Sequence, residues 1–177
     1  MRYAPVSLAL SLALACAASS GQSAPAQPLD PHAAQLLAQG QRALAAGDVD
    51  TAVDGFEAAL ALQPGSDRIT IALADAARRQ GMAGKALHYY RLVLAHAPND
   101  ADALAGEGEA LAEKGAIEKA RLSLERVTGV CGGACDAARR LSQAITAAEA
   151  RATVAARLPS DGGAVPGAQA PDTPKAQ

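Results

Sequence analysis

A spacing of 34 residues runs through the middle of this chain without a gap. It is marked by Gly47, Gly81 and Gly115, by Ala52, Ala86 and Ala120, by Phe56, Tyr90 and Leu124, and by Ala59, Val93 and Val127. Pro64 and Pro98 close the first two units, and Gly40, Ala74 and Gly108 match one another in the first half of each unit. A fixed period of this length confines the chain to an array of one repeated supersecondary unit. Within a unit the apolar residues recur at helical spacing, for example Leu36, Ala43 and Leu44, then Ala52, Phe56, Ala59 and Leu60. Two helices per unit follow, with a glycine at the corner between them.

Several other features agree with this reading. The residues Asp30, Ser66 and Asn99 stand where each first helix must start and are expected to cap it. Small residues at Gly40, Ala74 and Gly108, and at Ala52, Ala86 and Ala120, let backbones approach where helices cross. Bulkier side chains there are expected to overpack the interface by roughly 1–3 kcal/mol. Half of the residues are apolar, but there is no Trp and only one Phe, so the core must be built from Ala, Leu, Ile and Val. Each helical pair leaves an apolar face open, so the units must stack and the last needs a cover. The stretch 136–157 supplies one, with Leu141, Ile145 and Val154 among its alanines and Arg139, Arg140, Glu149 and Arg151 to meet water.

This pattern resembles the tetratricopeptide repeat family over residues 33 to 134. The resemblance implies an all-α fold, an α-solenoid of three helix-turn-helix repeats at about 33–66, 67–100 and 101–134, with 136–157 as a C-terminal capping helix. It also implies a binding platform whose concave groove is lined by the first helix of each pair. The groove-facing offsets carry Leu37, Gln41 and Leu44, then Arg68, Ile71, Asp75 and Arg78, then Asp102, Ala105 and Glu109. Of these, Gln41, Arg68, Asp75, Arg78 and Glu109 are the expected partner contacts. Arg68, Ile71, Asp75 and Arg78 are spaced three and four apart and so share one helical face. The alternative is an ordinary solvated face, with Asp75 pairing to Arg79 four residues on. One subclass of the family grips the terminal carboxylate of chaperones with Lys, Asn and Arg. The corresponding positions here hold Leu37, Gln41, Ala72, Asp102 and Gly106, so that clamp is absent.

The N-terminus reads as an export signal: Arg2, an apolar run from Val6 to Ala15, then small residues. The run falls short of the ~20 apolar residues that a spanning anchor needs. Two processing routes are open. Cys16 resembles the lipidated cysteine of bacterial lipoproteins, although Ala13 holds the place where that family prefers Leu. Alternatively, cleavage follows a small-x-small site such as Ala13-Leu14-Ala15, Ala15-Cys16-Ala17 or Ala24-Pro25-Ala26. A third reading is an uncleaved cytosolic N-terminus. Residues 1–26 are thus assigned to signal and spacer, 30–157 to the repeat domain, and the Pro- and Gly-rich 158–177 to a disordered tail. An exported protein, periplasmic or held by lipid to the outer membrane, is expected.

The pentapeptide 131–135, CGGAC, falls where the period would place the closing proline. Residues four apart on a helix have Cβ atoms about 5–6 Å apart, and a disulfide needs about 3.5–4.5 Å. Gly132 and Gly133 can break the helix and let the sulfurs meet. A local Cys131–Cys135 disulfide is the expected outcome, contributing roughly 2 kcal/mol by chain entropy. A metal clamp would need further ligands, and His32, His88 and His96 lie in other units. A thiol relay would more commonly have two residues between its cysteines. Free thiols complete the alternatives.

A net charge of −2 and a pI near 5.9 make nonspecific attraction to nucleic acid unfavourable. The sequence has no GxSxG elbow, no glycine-rich phosphate loop and no HExxH. His88 is expected to be an exposed residue of a second helix rather than a base. The sequence therefore points to a non-catalytic protein-interaction scaffold with no cofactor and no metal, similar to accessory lipoproteins of pilus or secretion assembly. Two other functions stay open: a redox relay through Cys131 and Cys135, and a structural spacer with no groove.

Overall fold

A computed structural model describes residues 28–157. These form seven helices: α1 (Pro31–Ala45), α2 (Val49–Leu62), α3 (Asp67–Arg79), α4 (Ala83–Leu94), α5 (Ala101–Glu113), α6 (Ile117–Cys131) and α7 (Asp136–Arg157). Among the described residues there is no strand, and no helix is long and apolar enough to cross a membrane. The signal and spacer assigned to 1–26, with Cys16, and the tail assigned to 158–177 lie outside the described residues.

The period appears first in the corners. Gly47, Gly81 and Gly115 each adopt a positive φ, 84°, 76° and 76° respectively, which a Cβ would strain. In each corner the next residue's N–H donates to a carbonyl five residues back: Asp48 to Ala43, Met82 to Ala77 and Ala116 to Leu111, at 2.9–3.0 Å. This is the same helix-ending motif three times. It reverses the chain so that α1 packs on α2, α3 on α4 and α5 on α6.

The starts are less uniform. Asp30 accepts from the N–H groups of His32 and Ala33 and caps α1 as expected. Ser66 precedes α3 but makes no side-chain capping bond; its carbonyl instead takes both the N–H and the hydroxyl of Thr70. The cap of α5 is Asp100 and not Asn99, because the carboxylate of Asp100 reaches the Ala103 N–H at 2.8 Å.

The core forms two clusters. One joins the first unit to α3 through Leu37, Phe56, Ile69 and Leu73. The other runs from α3 to α7 through Tyr90, Leu104, Val127, Leu141 and Ile145. Tyr89, half-buried, packs against both. Glycines admit the large side chains: a Cβ on Gly40 would lie 2.5 Å from the Phe56 ring, one on Gly106 2.3 Å from the Tyr90 ring, and one on Gly108 2.7 Å from Leu141 of α7. Leu141 and Ile145 cover the third unit as expected. Val154 does not, since it is 58% exposed and α7 beyond Glu149 stands clear of the stack.

Candidate partner-binding groove

Helices α3 and α5 are buried on two sides, which leaves each only a narrow strip facing the concave side. On α3, Ile69, Ala72, Leu73 and Ala76 belong to the first cluster, and Ala74 and Ala77 to the second. What remains is Arg68, Ile71, Asp75 and Arg78. On α5, the alanines, the leucines and Gly108 between Ala103 and Ala112 are buried in the core, and the strip on the cavity is Asp102, Gly106 and Glu109. Together with Gln41 and Leu44 of α1 and Arg140 of α7, these strips line a cavity of about 440 Å³. Arg79 and Asp100 line it as well.

Gln41, Arg68, Asp75, Arg78 and Glu109 therefore lie on one concavity. Leu37 and Ala105, expected beside them, are core residues at 2% and 0% exposure. Both have the offset of Ile71, which stays half-buried at the groove. An alanine between Asp102 and Glu109 is too short to reach the surface, and Leu37 is drawn into the apolar cluster around Phe56.

The floor is a network of charges. The guanidinium of Arg78 lies 2.7 Å from Glu109 Oε2, 2.7 Å from Glu113 Oε1 and 3.9 Å from Asp75 Oδ1. Arg140 reaches back from α7, with Nη2 3.0 Å from Asp102 Oδ1 and Nε 3.5 Å from Glu109 Oε1. The Tyr90 hydroxyl donates to Asp75 Oδ1 at 2.6 Å. That bond displaces the expected pairing of Asp75 with Arg79, because a buried hydroxyl needs an acceptor while an exposed arginine is served by water. Among the described residues, two buried side-chain atoms have no hydrogen bond: Arg78 Nε and Glu109 Oε1. The Arg140 contact to Glu109 is thus an ion pair without hydrogen-bond geometry.

Burial sets the titration of these groups. It holds the Glu109 carboxyl above its ordinary value, with Arg78 and Arg140 pulling the other way. It also raises the Tyr90 phenol, helped by the adjacent Asp75 carboxylate. For Arg78, burial opposes the charge, but Glu109, Tyr90 and Glu113 together outweigh it and raise the pKa.

Arg140 was expected to face water, and its place on the groove wall is the main feature that sequence reasoning missed. A signal was present. Ala72, Gly106 and Arg140 are spaced by the 34-residue period, and all three line the cavity. Helix α7 thus stands where the first helix of a fourth unit would stand, and it is the last helix among the described residues.

The cysteine pair lies away from this floor. Cys131 ends α6, Gly132 takes a φ of 81°, and Cys135 precedes α7. The two sulfurs are bonded at 2.03 Å. The Ala138 N–H donates to Cys135 Sγ at 3.4 Å, so the bridge also sits at the start of α7. His88 is exposed on α4. Among the described residues no group of three or more His, Cys, Asp and Glu side chains is disposed to hold a metal ion.

No protein-family model and no curated protein matches the sequence. Solved structures are similar to it in backbone. The Sgt2 tetratricopeptide domain from Aspergillus fumigatus superposes with a TM-score of 0.60 at 22% identity, covering 82% of this chain and 92% of that one. The fold is a tetratricopeptide-repeat solenoid. Two further tetratricopeptide structures agree. The first such domain of Spaghetti (RPAP3), bound to the HSP90 peptide SRMEEVD, gives 0.56 at 23% identity over 65% of this chain and 96% of that one. The TPR2B domain of yeast Sti1, in a complex with pHsp70, gives 0.59 at 17% identity over 69% and 99%. Within this fold the cavity occupies the concave face lined by first helices.

Proposed function

We propose that this chain is a non-catalytic interaction scaffold whose concave groove receives a peptide or an extended segment of a protein partner. The observation that carries this reading is the composition of the groove. Its lining holds four cations, Arg68, Arg78, Arg79 and Arg140, and four anions, Asp75, Asp100, Asp102 and Glu109, around one cavity. Interleaved charge of both signs on a rigid concave surface gives specificity through complementarity. A peptide ligand is in keeping with two of the similar structures: the first domain of Spaghetti (RPAP3) is bound to SRMEEVD, and the second domain of human RPAP3 is in complex with the HSP70 peptide SGPTIEEVD. Both peptides end in an acidic EEVD. The clamp positions here hold Leu37, Gln41, Ala72, Asp102 and Gly106, so the partner of this groove is of a different kind.

The setting we propose is a bacterial envelope, with the chain exported and either free in the periplasm or anchored by a lipid on Cys16. The N-terminal sequence and the Cys131–Cys135 bridge support it, since such bridges persist in oxidising compartments. A role beside pilus or secretion assembly rests on likeness in length and processing alone. Mass spectrometry of the chain from its native host reads the N-terminus, a lipid on Cys16 and the bridge in one measurement.

The groove is tested by selecting peptides from a random display library on the full chain. Selected peptides are expected to lose at least tenfold in affinity for an Arg68→Glu, Arg79→Glu double variant, in which two exposed cations reverse sign. Unchanged affinity would remove the groove from the reading.

A further inference from the structure

We infer that Asp102 and Glu109 form a subsite for a cationic group of the partner, a guanidinium or an ammonium, and that Arg140 occupies this subsite when no partner is bound. This rests on the groove reading above and adds the chemistry of one part of it.

Glu109 is 94% buried, at 6% exposure. Its Oε2 is held by Arg78 at 2.7 Å, but its Oε1 has no hydrogen bond. A buried carboxylate oxygen on a cavity wall ordinarily has a donor. The nearest cation, Arg140, comes only to 3.5 Å and spends its better contact, 3.0 Å, on Asp102. One guanidinium cannot serve both carboxylates well from its position on α7. A guanidinium entering along the groove is not tethered to α7, and its planar fork can donate to both at once.

The two arginines of the floor differ in how firmly they are placed. The Arg78 side chain is 21% exposed and touches three carboxylates, so it is a fixed part of the wall. The Arg140 side chain is 51% exposed and can swing into solvent without leaving a buried cation behind. When it leaves, Asp102 loses its ion pair and Glu109 keeps only Arg78, so this end of the groove becomes more acidic. A partner's Lys or Arg restores the balance.

The test uses the full chain and two neutral-backbone probes, N-acetyl-arginine amide and its uncharged isostere N-acetyl-citrulline amide. In an Arg140→Ala variant, arginine amide is expected to bind at least ten times more tightly than citrulline amide, and Glu109→Gln in the same background is expected to abolish the difference. In the unaltered chain, the Arg140 Nε–H resonance is expected to move on titration with arginine amide and to stay still with citrulline amide. Circular dichroism checks that the variants fold, and Arg140→Gln, which keeps part of the side-chain stem, serves if Arg140→Ala does not. Equal binding of the two probes, or a stationary Arg140 resonance at saturation, would overturn the cation subsite. Should that happen while display-selected peptides still depend on Arg68 and Arg79, the groove reading stands and only the subsite is lost; if that dependence also fails, both are lost.

Discussion

Phe56 and Tyr90 occupy the same place in successive repeats and fill the same kind of hole, yet they do different work. Phe56 is fully buried and lies over Gly40 in a wholly apolar cluster. Tyr90 is equally buried over Gly106, but its hydroxyl crosses the core and donates to Asp75 on the groove. The first repeat is thus a packing unit, while the second ties the core to the charged floor. The repeat period sets where a large side chain goes. One oxygen atom decides whether that position also orders the binding face.

The contrast can be broken at several places. Phe56→Ala should cost about 4 kcal/mol, since it empties a fully buried site that closes over a glycine; chemical denaturation of the full chain measures it, and the groove should keep its peptide affinity. Arg78→Ala should cost about 3 kcal/mol, because it leaves Glu109 buried beside only the distant Arg140. Replacing the pair together, Arg78→Met with Glu109→Leu, should recover most of that loss while abolishing peptide binding. Tyr90→Phe should cost about 1.5 kcal/mol by removing a hydrogen bond to a charged acceptor, and it should weaken peptide binding by freeing Asp75. The reverse change, Phe56→Tyr, buries a hydroxyl without a partner and should also destabilise, but it should leave binding alone.

The smallest effect is on pH dependence. Burial raises the Glu109 carboxyl above its ordinary value of 4.5, so the folded chain takes up this proton at a higher pH than the unfolded chain. The Glu109 contribution to stability therefore increases as pH falls through the raised value and levels off below about 4.5. Arg78, Arg140 and Asp75 all face this carboxyl and are included in that direction. Denaturant midpoints followed from neutral pH downward should show this slope in the unaltered chain and lose it in Glu109→Gln.

The fold was legible because the 34-residue period is carried by backbone demands. A positive φ at Gly47, Gly81 and Gly115 and close approach at Gly40 and Gly108 leave few substitutes, so the sequence repeats there. The groove was legible only in part. Arg68, Asp75, Arg78 and Glu109 could be placed on one face from helical spacing, but Leu37 and Ala105 share an offset with Ile71 and are nonetheless core. Offset fixes direction, whereas exposure depends on the lengths of neighbouring side chains. The pairing of Asp75 followed the same logic: a contact four residues away was visible in sequence, and the tertiary one to Tyr90 was not. Arg140 was hidden by a different cause. Residues 136–157 lack the second half of a repeat, so they read as a cover, although their first turns continue the period onto the groove.

Where a partner sits decides whether the concave groove is the binding face. Amide and side-chain chemical shifts of the full chain, followed during titration with a display-selected peptide, would locate it. Saturable changes are expected at Gln41, Arg68, Asp75, Arg78, Glu109 and Arg140, with α2, α4 and α6 little affected on their outer faces. Changes confined to those outer faces, with the groove residues unmoved, would contradict it.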